Sequence, residues 1–326
     1  MNTNCRNTNI EILRLLLISG ICLWHILMHG FGLKQIGYEN AMILPPPGIS
    51  AFLCALLAPA TYCFMFISGY YGMRFSISKT VSLIYMALFC FASGLFIKYL
   101  LFGTIDLGDI ARHFFPISTG RWWFLTGYMM VYLVSPFINK GIKEIQRKDF
   151  VYLLLLMTGL EVFSIITLKA NAGSNFYGLL YIYVLGRYTK KYDIRFKQET
   201  NILVYTGCLT ILSFLLYMLF LLPSPYNKLF FIALGYNNPL IIIMAITLFF
   251  IIKDMRPRYN LQINAFLSPI LYVYLLTETI GEPLYQYEAM VCCDHPIYGV
   301  ALVIAIIVSC MVIGHLGNMI FHSINS

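Results

Sequence analysis

Charge is what this chain has least of. Its 326 residues include 22 Lys or Arg and only 14 Asp or Glu, 11% in all, against about 25% in a soluble domain. Hydrophobic residues reach 60%, where roughly 45–50% is usual, and the mean hydropathy is +0.76. Too little polar surface remains to cover a water-soluble globule. That excludes a soluble enzyme, an extracellular disulfide scaffold and a disordered chain. CxxC pairs and Cys/His metal spacings are also missing. Most of the nine cysteines (Cys22, Cys54, Cys63, Cys90, Cys208 and Cys310) sit inside apolar runs as small hydrophobes. The adjacent Cys292 and Cys293 stand apart from these. The N-terminus has no basic start and no small-residue cleavage site, so no removable signal peptide is expected. No loop is long enough for a soluble domain. No internal repeat or matched pair of broken helices, common in secondary transporters, is visible. The net charge of +8 does not point to nucleic acid, because excess Lys and Arg in a membrane chain collect in cytoplasmic loops.

What is present is a series of long apolar runs. A bilayer core of about 30 Å takes about 20 helical residues per crossing. Ten runs qualify: Ile10–Phe31, Ile49–Met73, Val81–Phe102, Trp122–Ile138, Phe150–Leu168, Phe176–Tyr188, Ile202–Leu222, Leu229–Ile252, Leu261–Ile280 and Ile297–Phe321. The expected fold is an all-α bundle of about ten transmembrane helices. With the N-terminus inside, fifteen cations fall on the cytoplasmic side: Arg6, Arg74, Lys79, Lys140, Lys143, Arg147, Lys148, Arg187, Lys190, Lys191, Arg195, Lys197, Lys253, Arg256 and Arg258. Six fall outside: Lys34, Lys98, Arg112, Arg121, Lys169 and Lys228; Arg14, inside the first run, completes the 22. The acids Glu39, Asp106, Asp109, Glu282, Glu288 and Asp294 lean outward. One wrong crossing would scramble this alternation downstream, so both termini are placed in the cytoplasm.

Ionisable groups inside spans are costly and point to function. The first run carries Glu11, Arg14 and His25, with His29 at its outer end. From Arg14 to His25 is eleven residues, which is three turns plus about 20°, on one face and about 16 Å apart. Glu11 lies three residues before Arg14, close enough to pair with it. This reads as a polar file from the cytoplasmic mouth into the protein, with Arg14 for an anionic ligand and His25 for acid/base chemistry at depth. The alternative is an Arg14 that snorkels to headgroups and a hydrogen-bonded interior His25. A metal or haem shared by His25 and His29 is not expected, because no third ligand is in view. His29 is placed a turn further out, beside Gly30 and Gly32, where the helix ends in water. Glu161 and Glu278 also lie inside spans. Arg121-Trp122-Trp123 places a cation beside two indoles at an outer helix end, where Trp123 can stack on a sugar or belong to the interfacial aromatic belt.

Six segments carry a family resemblance: IEILRLLLISGICLWH, FMFISGYYGMRFS, WWFLTGYMMVYLVSPFIN, YIYVLGRYTKKY, YNNPLIIIMAITLFFIIK and INAFLSPILYVYLLTE. In their order and spacing they resemble the acyltransferase-3 family, bacterial ten-helix membrane O-acyltransferases that modify glycans, from end to end of the chain. The resemblance implies a single transmembrane acyltransferase domain over residues 1–326 in the bacterial cytoplasmic membrane. It implies acyl-CoA, usually acetyl-CoA, as cytosolic co-substrate, with no permanently bound cofactor. It also implies a hydroxyl of a lipid-linked or cell-surface glycan as acceptor. His25 falls on the family's essential histidine and Arg14 on its partner. Arg14, Arg74 and Lys79 are then candidates for the CoA phosphates, Trp123 and Glu278 for the acceptor side, and Glu11 for support of Arg14. The chain departs from the family pattern in two places. Thr277, followed by Glu278, stands where the family often has a ninth-helix histidine, and the arginine motif after the second helix is reduced to Arg74 and the more distant Lys79. The rival from another class is a transporter or flippase of a glycan or lipid with a proton relay at His25 and Glu161; a third is a non-catalytic scaffold.

Overall fold

The computed structural model describes residues 6–35, 46–103, 122–167, 173–223, 226 and 229–325. All regular structure among them is helical. The helices are α1 (Thr8–His25), continued by a π-helical turn (Ile26–Gly30), α2 (Pro47–Leu57), α3 (Ala60–Tyr71), α4 (Ile77–Phe102), α5 (Trp123–Glu144), α6 (Arg147–Thr167) and α7 (Phe176–Lys191). After these come α8 (Gln198–Phe220), α9 (Leu229–Ala233), α10 (Pro239–Lys253), α11 (Leu261–Phe266), α12 (Ile270–Ile280), α13 (Glu282–Asp294) and α14 (Pro296–Asn325). Among the described residues, six helical stretches are long and apolar enough to cross a membrane: Thr8–Gly30, Pro47–Tyr71, Ile77–Phe102, Gln198–Phe220, Leu261–Ile280 and Pro296–Ser323. The chain is an all-α, multi-pass membrane protein.

Local chemistry explains where these helices start and stop. Asn7, Ser76, Asn175, Asn238 and Asn260 cap the N-termini of α1, α4, α7, α10 and α11 through their side-chain oxygens. Three features differ from the sequence expectation. The run Trp122–Ile138 contains Ser135-Pro136, yet α5 continues through Pro136 and past Ile138 to Glu144. Proline removes the donor to the Tyr132 carbonyl, and the Ser135 hydroxyl donates to that carbonyl instead, at 2.7 Å. The run Leu229–Ile252 is broken into α9 and α10. Asn238 caps α10 with Pro239 in its first turn, and its amide nitrogen also donates to the Ala233 carbonyl at 2.7 Å. The segment after the ninth run, read as outer loop, forms α13.

The described residues pack as two compact units, each discontinuous in sequence. The first comprises Met1–Leu44, Ser76–Trp122 and Arg256–Ser326; the second Pro45–Phe75 and Trp123–Met255. In the first, α12 packs against α1, α4 and α14, while α13 packs against the π turn and α14. In the second, α3 packs against α7 and α10, and α8 against α2 and α10. Arg112, Arg121, Lys169, Lys228, Glu39, Asp106 and Asp109, used in the charge balance, lie outside the described residues.

Candidate active site

The base of α1 is tied down before any functional group is reached. The Thr8 amide donates to the Arg258 carbonyl at 2.9 Å, and the Asn264 side chain donates to the Arg6 carbonyl at 2.7 Å. One turn on, Glu11 is only 4% exposed. It accepts from Arg14 Nη1 at 2.9 Å, with Arg6 at 3.9 Å on the same oxygen. A carboxylate this buried has to be paired, and Arg14 supplies the pairing as the three-residue spacing implied. Arg14 Nε is buried with no hydrogen-bond partner, so this guanidinium keeps a donor to spare. Lys79, in the first turn of α4, is exposed. The charges of Arg14 and Arg6 reach it, which gathers three cations in one region of this unit.

At the other end of α1 the backbone changes form. After His25 the hydrogen bonds skip to the fifth residue, as in Phe31 N to Ile26 O at 2.8 Å. A single π turn of this kind is rare and frequent at functional sites. Its cause lies in packing: Gly30 meets the Tyr285 backbone carbonyl so closely that no Cβ would fit. His29 follows His25 by four residues and stays on the same side of the helix. The two rings lie edge to face with centroids 5.9 Å apart. His29 is therefore not a residue at a helix end in water. It is half-buried, 6.0 Å from the Tyr285 ring, with Nδ1 3.4 Å from Glu282 Oε1.

His25 is held from one side. Its Nδ1 contacts Glu278 Oε1 and lies 3.0 Å from the Tyr285 hydroxyl. Tyr285 donates to the same Glu278 oxygen at 2.9 Å. A carboxylate can only accept, so the proton of neutral His25 sits on Nδ1 and the Nε2 lone pair is left free. Among the described residues no hydrogen bond to Nε2 occurs. Tyr285 is 2% exposed; burial, and then the neighbouring Glu278 carboxylate, push its phenol well above the ordinary range, so it stays protonated as a donor. Beside this triad opens a cavity of about 370 Å³ lined by His29, Lys98, Glu278, Glu282 and Tyr285. A histidine fixed through Nδ1 by a carboxylate that itself lines a polar cavity, with no hydrogen bond on Nε2, is an arrangement that suits a general base.

A family model described as an acyltransferase domain matches residues 7–320. The chain belongs to the acyltransferase-3 family. No curated protein and no solved structure matches it. The match covers both units of this acyltransferase, and Arg14 and His25 both lie inside it.

The structure brings Glu11 to Arg14, and Glu278 to His25. Glu278, assigned from sequence to the acceptor side, lines the cavity and also holds the catalytic candidate. Arg74 and Trp123 belong to the second unit. Arg74 is exposed just beyond α3. Trp123 lies 5.3 Å from the Tyr236 ring, which stacks on Tyr62 at 5.4 Å. Glu161 is buried with one oxygen unpartnered. No cluster of metal-binding side chains occurs among the described residues. Tyr285 is not among the sequence candidates, because it lies beyond the ninth apolar run, on the short helix α13. Gly281-Glu282-Pro283 carried the signal: a glycine at φ 73° ends α12, and a proline within the first turn opens α13.

Proposed function

We propose that this acyltransferase moves an acyl group, acetyl in the first instance, from cytosolic acyl-CoA to a hydroxyl of a lipid-linked or cell-surface glycan. It works in a bacterial cytoplasmic membrane as a ten-span protein with both termini inside. The fifteen-to-six cation asymmetry supports that topology. The observation that carries the chemistry is the His25–Glu278 pair, with Nε2 of His25 left free.

The donor's phosphates meet Arg14, whose planar fork suits phosphate oxygens, and Lys79. The pantetheine arm runs the rise of about 16 Å up the Arg14 face of α1 to His25. His25 Nε2 takes the proton of the acceptor hydroxyl, and the oxygen attacks the thioester carbonyl. The tetrahedral intermediate collapses, the C–S bond breaks, and the imidazolium returns its proton to the CoA thiolate. Glu278 stabilises the transient imidazolium, and burial keeps water from competing with the acceptor. The acceptor occupies the polar cavity beside His29, Lys98 and Glu282.

Purified protein incubated with acetyl-CoA, with and without a glycan acceptor, tests the reading. Free thiol and acylated glycan should appear together and stop with His25→Ala. Solute flux through proteoliposomes with no thioester turnover would establish the transporter reading in its place.

A further inference from the structure

Helix α6 has two sides of different character. Phe150, Met157 and Glu161 are buried and recur seven and four residues apart, on the face that packs against α7. Tyr181 Oη and Thr158 Oγ1 are 2.9 Å apart, and the Tyr177 hydroxyl donates to the Met157 carbonyl at 3.0 Å, which ties that face down. Arg147, Lys148, Val151, Tyr152 and Leu155 are all exposed. Their spacing of i, i+1, i+4, i+5 and i+8 puts them in one strip on the other side of the helix. The first four line a groove of about 550 Å³.

The two cations at the head of the strip are held without being neutralised. The Arg147 guanidinium lies 5.2 Å from the centroid of the Tyr192 ring, just beyond α7, and the Lys148 ammonium 5.9 Å from that of Tyr152. A tyrosine ring attracts a cation but brings no counter-charge. Among the described residues neither cation makes an ion pair. Asp149, the acid of the same turn, lies about 130° round the helix from the middle of the strip. Below the cations the strip is apolar. Leu155 and Val162 are 62% and 39% exposed, and between them a Cβ on Gly159 would meet nothing within 4 Å, so the glycine leaves a notch. From Lys148 to Gly159 is eleven residues, a rise of about 16 Å, close to half of the ~30 Å hydrocarbon core.

We propose that this strip binds one anionic phospholipid. Its phosphate and headgroup rest on Arg147 and Lys148, and an acyl chain runs along Val151 and Leu155 into the Gly159 notch. Tyr152 sits where the aromatic belt meets the headgroups. A phospholipid fits and a soluble phosphate ester does not, because the strip stays apolar for a full leaflet and opens away from α7. No step of the acyl-transfer reading depends on this site, and its test is binding rather than turnover.

The experiment uses the full chain in detergent. Native mass spectrometry measures its affinity for phosphatidylglycerol and for phosphatidylcholine, and gel filtration and melting temperature check the fold. One cation at a membrane surface is worth about fivefold for an anionic lipid, so Arg147→Gln and Lys148→Gln together should weaken phosphatidylglycerol by roughly thirtyfold and leave phosphatidylcholine unchanged. Lys143→Gln, at an exposed position on α5, should leave both lipids unchanged. Gly159→Leu keeps both cations, fills the notch and should weaken both lipids alike. Leucine favours the helix over glycine, so this variant keeps the test open if the charge variant does not fold. Unchanged phosphatidylglycerol affinity in the folded variants, or as large a loss in Lys143→Gln, overturns the site. A dimer in gel filtration that Gly159→Leu breaks would give the strip to a second copy of the chain and overturns it as well.

Discussion

Glu278 and His25 meet through Nδ1 of the imidazole, and the Tyr285 hydroxyl donates to the same carboxylate oxygen. This sets the tautomer of His25 and the direction in which its basic nitrogen faces. It also supplies, from α12, an anion one position beyond Thr277, which stands where the family pattern often has a histidine. The departure at Thr277-Glu278 therefore does not leave the catalytic candidate unsupported. Thr277 is buried and its hydroxyl donates to the Val273 carbonyl within α12, so Glu278, one position on, faces the site.

The first prediction concerns that pair. Glu278→Gln keeps the shape but removes the charge that steadies the imidazolium. kcat should fall by about 10²–10⁴-fold, the scale of general acid/base catalysis, with the KM for acyl-CoA nearly unchanged. Steady-state kinetics with varied donor reads both. A raised donor KM with an intact kcat would assign Glu278 to binding instead.

The two histidines should separate by kinetic parameter. His25→Ala should abolish transfer in a protein that still folds, since residual activity of tens of percent does not fit a lost base worth about 10²–10⁴. His29 lines the cavity but does not touch Glu278 in the same way, so His29→Ala should keep donor turnover and raise the KM for the acceptor. Equal loss of kcat in both folded variants would mean that the pair works as one relay.

The first unit shows how far residue patterns reach. The Arg14–Glu11 pair and the shared face of Arg14 and His25 follow from helical spacing, because α1 is regular from Thr8 to His25. The position of His29 did not follow, because a π turn is a response to a tertiary contact, here Gly30 against the Tyr285 carbonyl, and no local pattern carries it. Tyr285 was hidden for a related reason: α13 is short and only partly apolar, so the length and hydropathy that reveal spans pass over it. In the second unit, Arg147 looks in sequence like any cation at a helix end. The Tyr192 ring that holds it is visible only once α6 and α7 are packed.

Stability should depend on pH through Glu288. This residue of α13 is 3% exposed, and burial raises its carboxyl from 4.5 to about 7. A raised acid holds a proton in the folded state that the unfolded chain has already released. Its contribution is complete below the unfolded pKa near 4.5 and is lost as pH rises through about 7. The melting temperature in detergent should therefore fall between pH 4.5 and 8, and Glu288→Gln, permanently neutral, should flatten that slope. Parallel slopes for the two proteins would show that Glu288 is ionised and compensated in the fold.

The ten-span topology has a direct test in the native thiols. Cys22, Cys54, Cys63, Cys90, Cys208 and Cys310 are buried, Cys292 is half-buried, and Cys293 is exposed near the end of α13. The charge balance puts that end outside the cell, so a membrane-impermeant maleimide added to intact cells should label Cys293, and Cys293→Ser should remove most of the signal. Glu288 is a poor reporter for the same face, because a cysteine there would be buried whichever side α13 occupies. Lys143 and Lys197 are both exposed, and the balance puts both inside. Lys143→Cys and Lys197→Cys in the Cys293→Ser background should label only after the cells are opened. Lys191 serves less well, because its ammonium caps the α5 end through the carbonyls of Ile142, Lys143 and Ile145 at 2.6–3.2 Å, and a cysteine would disturb the site it reports on. The run Leu229–Ile252, broken at Gly235–Asn238, is where a miscount would arise. Failure to cross there would move every later segment to the opposite side, and Cys293 would then label only in opened cells, together with Lys143→Cys and Lys197→Cys. That single pattern would replace ten spans with nine.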